Sequence, residues 1–308
     1  MSAYIKGTRR PKPPVFRDLK IGNFEIPFGV IIILLFAALY LLCLVGSTLE
    51  SGTDALTLQV ASFAIFALFA YSVRKSMLQL KPFITIIDIF LGLSVIPLFW
   101  SLVQFFNIYT PARIIGVYVP ADMFVLTIVG LINAIVSVVI VVVVLYYEKG
   151  KLSEIYVNAG NIKAGIVTGV AGLVACCILA LAAIYFLFRA DIPDIGVLLP
   201  ILAALGIFCL VSAFAEELWF RGMLLSRLLP LAGLNASLLI ETAVFAIFEA
   251  VIAYMLMPQA YFVLIVLIAA VIPGYYWGRM TIKNNSILGS TLFHTGFYIL
   301  MALPLIFR

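Results

Sequence analysis

Long apolar runs broken by short polar and charged stretches repeat along the whole chain. Nine runs approach the roughly 17–25 residues that a helix needs to cross a bilayer. They fall near residues 27–47, 55–73, 83–107, 122–147, 164–188, 195–229, 235–257, 260–278 and 286–306. The second and eighth are short, and the sixth is long enough to project from the membrane. The pattern predicts an all-α fold, a polytopic transmembrane helical bundle of about nine spans, with eight as the other count.

Charge adds an orientation. With a cytoplasmic N-terminus, Lys6, Arg9, Arg10, Lys12, Arg17 and Lys20 lie inside, as do Arg74, Lys75, Lys81, Lys149, Lys151 and Lys163. Arg221, Arg227, Arg279 and Lys283 fall at the inside ends of later helices, so that sixteen of the 19 lysines and arginines are on one side. Only Arg113, Arg189 and Arg308 fall outside. The asymmetry favours nine spans with the N-terminus cytoplasmic and the C-terminus outside.

Composition agrees. Of 308 residues, 65% are apolar and 11% charged, with a mean hydropathy of +1.22, which excludes an ordinary soluble domain. The net charge of +5 sits in membrane-flanking loops rather than on one face, so no nucleic-acid partner is expected. Cys43, Cys176, Cys177 and Cys209 lie in apolar runs without a C-x-x-C pair and read as buried free thiols. The basic, Pro-rich stretch 1–26 lacks the apolar core of a cleavable signal peptide. It reads as a cytoplasmic arm touching anionic headgroups. The polar break "FRADIPDIG", residues 188–196, separates aliphatic and aromatic spans (27–190) from the part holding most intramembrane ionisable groups (191–308).

The stretch "FAEELWFRGMLLS", Phe214 to Ser226, puts Glu216, Glu217 and Arg221 inside one apolar helix. Glu217 and Arg221 are four apart and face the same way. Glu216 is turned about 100° away and has no partner on its own helix. An unpaired carboxylate at depth costs something like 2.5–3.5 kcal/mol on insertion scales, so it signals a function. Two further acids, Glu241 and Glu249, stand eight apart in "LIETAVFAIFEAVIAY". Glu241, close to the inside end, reads as solvated; Glu249 is deeper and needs a partner. His294, the chain's single histidine, follows in "NNSILGSTLFHTGFYIL", with Tyr298 one turn on. Gly289 and Gly296 permit close helix contact there. Asp88, in "FITIIDIFLG", reads as a structural residue near an interface. At 1.5 Å per residue, Glu216, Glu249 and His294 lie roughly 12–21 Å from the inside ends of their helices. Convergence at one level predicts a shared intramembrane site.

E-E-L-W-F-R-G resembles the first motif, E-E-x-x-x-R, of the CPBP family (CAAX proteases and bacteriocin-processing enzymes), which includes the Ras-converting CAAX endopeptidases. In that family F-x-x-x-H and H-x-x-x-N or D follow on later helices. Here those positions hold "FAIFE", Phe245 to Glu249, and "HTGFY", His294 to Tyr298. The resemblance covers about residues 195–308. It implies that Glu216 activates a water, Glu217 and Arg221 shape the site, and His294 steadies an oxyanion. Two positions depart from the pattern: Glu249 stands for the second-motif His, and Tyr298 for the third-motif Asn. Beside Glu216, Glu249 would form an acid pair sharing a proton, or would join Glu216 and His294 around a cation.

Three readings remain at the level of sequence. The leading one is an intramembrane glutamate-dependent endopeptidase that cleaves a peptide or a prenylated tail near the cytoplasmic side. The residues carrying it are Glu216, Glu217, Arg221, Glu249, His294 and Tyr298. It requires no cofactor; a divalent metal, if any, would lie on Glu216, Glu249 and His294. The second reading is a non-catalytic relative that binds a membrane partner or lipidated tail. The third is a proton-coupled transporter, which intramembrane Glu and His suit but which lacks paired broken helices in repeated halves. No H-E-x-x-H, G-x-S-x-G, or paired Y-D and G-x-G-D signature is present. Expected partners are membrane lipids and the peptide tail. The expected location is the plasma membrane in a prokaryote or the endoplasmic reticulum in a eukaryote.

Overall fold

A computed structural model describes residues 19–21, 24–26, 28–50, 52–105, 120–186, 194–256 and 259–306. Arg113, Arg189, Arg308, residues 1–18 of the basic arm and residues 188–193 of the polar break lie outside the described residues. A short antiparallel hairpin, β1 (Leu19–Ile21) and β2 (Phe24–Ile26), stands within the stretch expected to be an arm. Among the described residues, everything after it is helical or connects helices.

Nine long helices follow among the described residues: α1 (Phe28–Leu49), α2 (Gly52–Lys75), α3 (Ile84–Phe105), α4 (Pro120–Glu148), α5 (Ile162–Phe186), α6 (Ile195–Glu217), α7 (Ser226–Leu256), α8 (Ala260–Asn284) and α9 (Leu288–Ile306). Between α6 and α7 the chain stays helical but widens into a π-helical segment, Leu218–Leu225. Seven stretches among the described residues are long and apolar enough to cross a membrane. One of them, Leu199–Tyr254, is 56 residues long and takes in both α6 and α7; α9 is not among the seven. Within that stretch the turn is made at Gly233, whose φ of 75° and ψ of 174° leave the helical region. That backbone region is open essentially only to glycine, so a single residue breaks an otherwise continuous apolar run.

The packing follows the small residues. Gly165, Gly169 and Gly172 of α5 are buried, while Ile166, Val167, Val174 and Ile178 of the same helix are exposed. The glycine stripe lies against α9. A Cβ on Gly289 would come within 2.9 Å of the Gly165 carbonyl oxygen, and one on Gly172 within 2.3 Å of the Phe293 ring. With apolar lipid outside, there is little hydrophobic gain in pairing helices, and close backbone approach supplies the dispersion contacts instead. Gly274 and Gly278 of α8 do the same against Phe245 and Leu238 of α7. Gly92 of α3 makes room for the buried Trp219 ring, which would lie 2.3 Å from an added Cβ.

The α1–α3 part of the core is aromatic: Phe36, Tyr40, Phe66 and Phe90 are all buried, with Phe66 stacked on Phe90 at 5.9 Å. Polar contacts close it at both ends: Gln59 of α2 donates to the Ser47 hydroxyl of α1 at one, and an ion pair stands at the other. Asp88 accepts from Arg74 at 2.6 Å, consistent with a structural residue near an interface. At the same end of α4, Arg227 reaches Glu148 at 3.1 Å and Glu154 at 3.5 Å. The connection after α4 is pinned to the α8–α9 turn: the Asn161 N–H donates to the Asn284 carbonyl at 2.7 Å, and the Ile287 N–H to the Tyr156 carbonyl at 3.1 Å. Gly160, at φ 48°, passes so close that a Cβ there would meet the Asn284 carbonyl oxygen at 2.2 Å. This clamp fixes the start of α9, and so the height at which its side chains enter the bundle.

Candidate functional site

Four helical segments supply one buried polar cluster. The end of α6 brings Glu216 and Glu217, and the π-helical segment brings Arg221. From α7 come Glu241 and Glu249, and from α9 His294 and Tyr298. All six residues picked out from the sequence, Glu216, Glu217, Arg221, Glu249, His294 and Tyr298, are therefore brought together. The π-helical widening lies on the E-E-L-W-F-R-G stretch itself. Such segments recur at functional sites, but nothing in the sequence pattern pointed to it.

Arg221 is the hub. Its Nη1 lies 2.9 Å from Glu217 Oε1 and its Nε 3.2 Å from Glu241 Oε1, with every one of these side chains fully buried. Its third nitrogen, Nη2, donates to the Gly274 carbonyl at 3.4 Å. The guanidinium lies over the Phe245 ring at 4.0 Å, a contact that is stronger for being desolvated. Phe245 also presents its edge to His294, with ring centroids 5.3 Å apart. The phenylalanine that opens the second motif thus packs against the arginine of the first and the histidine of the third.

The expectation that Glu241 is solvated is corrected here: its side chain has no exposure and pairs with Arg221. Distance from the helix end misled. The Leu238 and Gly278 contact draws α8 over that turn, and Glu241 Oε2 would lie 3.4 Å from a Cβ on Gly278. The G-Y-Y-W-G spacing of small residues in α8 was the signal available in the sequence.

The Glu217 and Arg221 pairing across one helical turn holds despite the π geometry. Glu217 has a second task, since its Oε1 lies 3.0 Å from His294 Nδ1. The imidazole stacks on Trp277, with centroids 4.5 Å apart and planes 26° apart, and lies against the Tyr298 ring at 4.6 Å. With one nitrogen tied and one face covered, the ring has a fixed direction. Its Nε2 faces the remaining two acids, 3.7 Å from Glu216 Oε2 and 3.5 Å from Glu249 Oε1. The Tyr298 hydroxyl donates to Glu216 Oε1 and also lies 3.0 Å from Glu249 Oε1. A hydroxyl has one proton, so it serves one carboxylate at a time.

Exposure grades across the cluster. The Glu216 side chain is 11% exposed, Glu249 2% and His294 none. Of the two acids and the histidine, Glu216 is therefore the one a small reactant meets first. Tyr40, from α1, is a residue that the motifs could not reveal. It is buried, its hydroxyl makes no hydrogen bond among the described residues, and it lies near enough to feel the Glu216 charge. Together the groups can hold a water between two carboxylates and surround a developing negative charge with Tyr298 and His294 donors.

Neither a curated protein nor a solved structure matches the chain. A family does: residues 198–300 match the family model described as type II CAAX prenyl endopeptidase Rce1-like. The match begins in α6, ends in α9, and takes in every residue of the cluster except Tyr40. The resemblance drawn from E-E-L-W-F-R-G therefore extends, in this multi-pass helical membrane protein, to a similarity over residues 198–300, about a third of the chain, to the Rce1-like type II CAAX prenyl endopeptidase family.

Proposed function

We propose that the protein is an intramembrane endopeptidase in which Glu216 activates a water. The observation that carries the reading is the meeting of Glu216, Glu249, His294 and Tyr298: the Tyr298 hydroxyl reaches both acids, His294 Nε2 lies 3.7 Å from Glu216 and 3.5 Å from Glu249, and Glu216 is the more exposed of the two acids. Glu216 takes a proton from the water, and the hydroxide attacks the peptide carbonyl. The carbonyl oxygen gains negative charge and is met by donors from Tyr298 and His294. The proton held by Glu216 then passes to the leaving nitrogen as the C–N bond breaks. A preorganised donor of this kind contributes on the order of 3–4 kcal/mol of transition-state stabilisation. Arg221, Glu217 and Glu241 hold the frame. Glu217 keeps the imidazole aimed, and Arg221 offsets the two carboxylates that it bridges.

The substrate class follows from the family likeness and the setting: a peptide segment at the membrane, free or prenylated at its C-terminus, presented at the cytoplasmic side. Support for activity is the intact geometry around Glu216. Glu249 in place of a His and Tyr298 in place of an Asn favour the second reading, a scaffold that binds such tails without cleaving them.

The test is turnover by purified protein in nanodiscs, offered quenched peptides with free and prenylated C-termini. Wild type should cleave, and Glu216→Gln should lower kcat by at least about a thousandfold, as loss of a general base or oxyanion donor does. Absent turnover in wild type, with equal folding and equal peptide binding in both, would leave the binding scaffold.

A further inference from the structure

We infer that the seam between α4 and the run of α6 into the π-helical segment is a binding site for ordered water, held by Asn133, Ser137 and Trp219 and ending at Glu216. The hydration of the seam does not rest on the proposed function. Its task there, supplying the water that hydrolysis consumes, does.

The first observation is a set of polar atoms without partners, outside the acid cluster. Ser137 and Trp219 have no exposure. Neither the Ser137 hydroxyl nor the Trp219 indole N–H makes a hydrogen bond among the described residues. The same holds for Asn133 Oδ1, which is buried although the residue is partly exposed. Other buried hydroxyls turn back onto their own helix. Ser47 donates to the Leu44 carbonyl at 2.8 Å, Ser290 to that of Ile287 at 2.9 Å and Thr295 to that of Thr291 at 2.8 Å. This local bond is the ordinary resource of a hydroxyl inside a helix, and Ser137 does not use it. A buried polar group without any partner is costly. Where the protein supplies none, bound water commonly does.

The second observation is that these atoms share one seam. Thr127, Gly130, Asn133, Ser137 and Ile140 follow one another on α4 at helical spacing, along one side. Three contacts set that side against the α6 run in parallel register. The Thr127 hydroxyl donates to the Ala204 carbonyl at 3.3 Å. A Cβ on Gly130 would lie 3.6 Å from the Ser212 hydroxyl oxygen. A Cβ on Gly92 of α3 would meet both the Trp219 ring, at 2.3 Å, and the Ile140 side chain, at 3.2 Å. Asn133 and Ser137 stand between the second and third of these contacts, and so between the levels of Ser212 and Trp219. Glu216 is four residues after Ser212 and three before Trp219, so it borders the same side. Its Oε2 also makes no hydrogen bond among the described residues.

The chemistry of the seam selects the ligand. Asn133 Oδ1 accepts, the Trp219 indole donates, and the Ser137 hydroxyl does either. None of the three is charged, so the seam does not suit an ion. Water donates and accepts at once and can link all three in a file to Glu216, the more exposed of the two acids. The file starts toward Thr127, at the end of the bundle where α4 and α6 begin. Asn133 and Ser137 lie on α4, outside the matched residues 198–300.

The experiment uses the three tryptophans of the chain. Full-length protein with isotope-labelled indoles is placed in nanodiscs, and Trp219→Phe assigns its N–H signal. The Trp219 indole proton should receive magnetisation from water and exchange in heavy water. Ser137→Val should slow that exchange by at least about fivefold, the loss of one hydrogen bond to the water. Ser137→Thr, of the same volume as valine but with a hydroxyl, should keep it. Asn133→Leu should slow it as well, so that the result does not hang on the folding of one variant. A wild-type Trp219 proton that neither feels water nor exchanges overturns the inference. So does exchange that Ser137→Val and Asn133→Leu, both with wild-type melting, leave unchanged. The supply route is read from turnover: kcat should fall in Ser137→Val and return in Ser137→Thr, with KM unchanged. Equal kcat in those two variants overturns the route. Wild-type protein without turnover overturns the proposed function, and with it the supply, while the indole exchange still decides whether the seam holds water.

Discussion

Two arginines six residues apart, Arg221 and Arg227, each bridge two glutamates, and the resemblance ends there. Arg221, Glu217 and Glu241 are fully buried, and the guanidinium is further enclosed by Phe245 and Trp277. Arg227 is 17% exposed, with Glu148 at 12% and Glu154 at 49%. The chemistry is the same and the surroundings differ, so the consequences of breaking each network differ. In a low dielectric an ion left without its partner costs several kcal/mol, while at an interface water and salt take the partner's place. The inner network behaves as one unit that positions His294. The outer one is a fastening at the end of α4.

The largest effect should come from removing the inner hub alone. Arg221→Met leaves Glu217 and Glu241 buried without a counter-charge. The loss should be about 3–5 kcal/mol, a fall in melting temperature on the order of 10 °C, read in a detergent thermal melt. A shift of a degree or two would mean that the two glutamates are already neutral or reached by water, and the contrast with Arg227 would collapse.

A smaller effect should follow from removing the entire inner network. Combining Arg221→Met with Glu217→Gln and Glu241→Gln takes away the charges together. Buried ion networks replaced as a whole are often neutral or stabilising. The triple variant should recover to within about 1–2 kcal/mol of wild type in the same melt. The amide oxygen introduced by Glu217→Gln can still accept from His294 Nδ1, so folding should return. A triple variant as unstable as Arg221→Met would show that packing around the guanidinium, and not charge, is what the hub supplies.

The inner network was half legible in the sequence. The pairing of Glu217 with Arg221 followed from a four-residue spacing, and the convergence of Glu216, Glu249 and His294 followed from similar depths along three apolar helices. Both depend only on local helix geometry, which a sequence carries directly. Glu241 was misjudged because its burial depends on α8 closing over α7 through Gly274 and Gly278, a contact between helices rather than within one. Tyr40 was missed for the same reason, since it belongs to α1, which packs against α7, and to none of the motif helices. The turn at Gly233 hides inside an apolar stretch of 56 residues. The π-helical segment left no periodic signature, as eight buried residues in a row have no polar face to mark a change of pitch.

The smallest effect belongs to the outer arginine. Arg227→Met removes contacts of 3.1 Å to Glu148 and 3.5 Å to Glu154. Glu154 is half-exposed and easily solvated, and Glu148 lies at the same rim. The cost should be no more than about 1 kcal/mol. Unlike the inner network, this one should respond to salt. The wild-type advantage over Arg227→Met should shrink as ionic strength rises toward 1 M, where screening acts over about 3 Å. The difference between Arg221→Met and wild type should hardly change over the same range, because ions do not enter the bundle. The measurement is therefore a pair of melting curves for each variant at low and high salt. Equal salt dependence at both arginines would place Arg221 in contact with water, and the inner and outer networks would then be two versions of one surface feature.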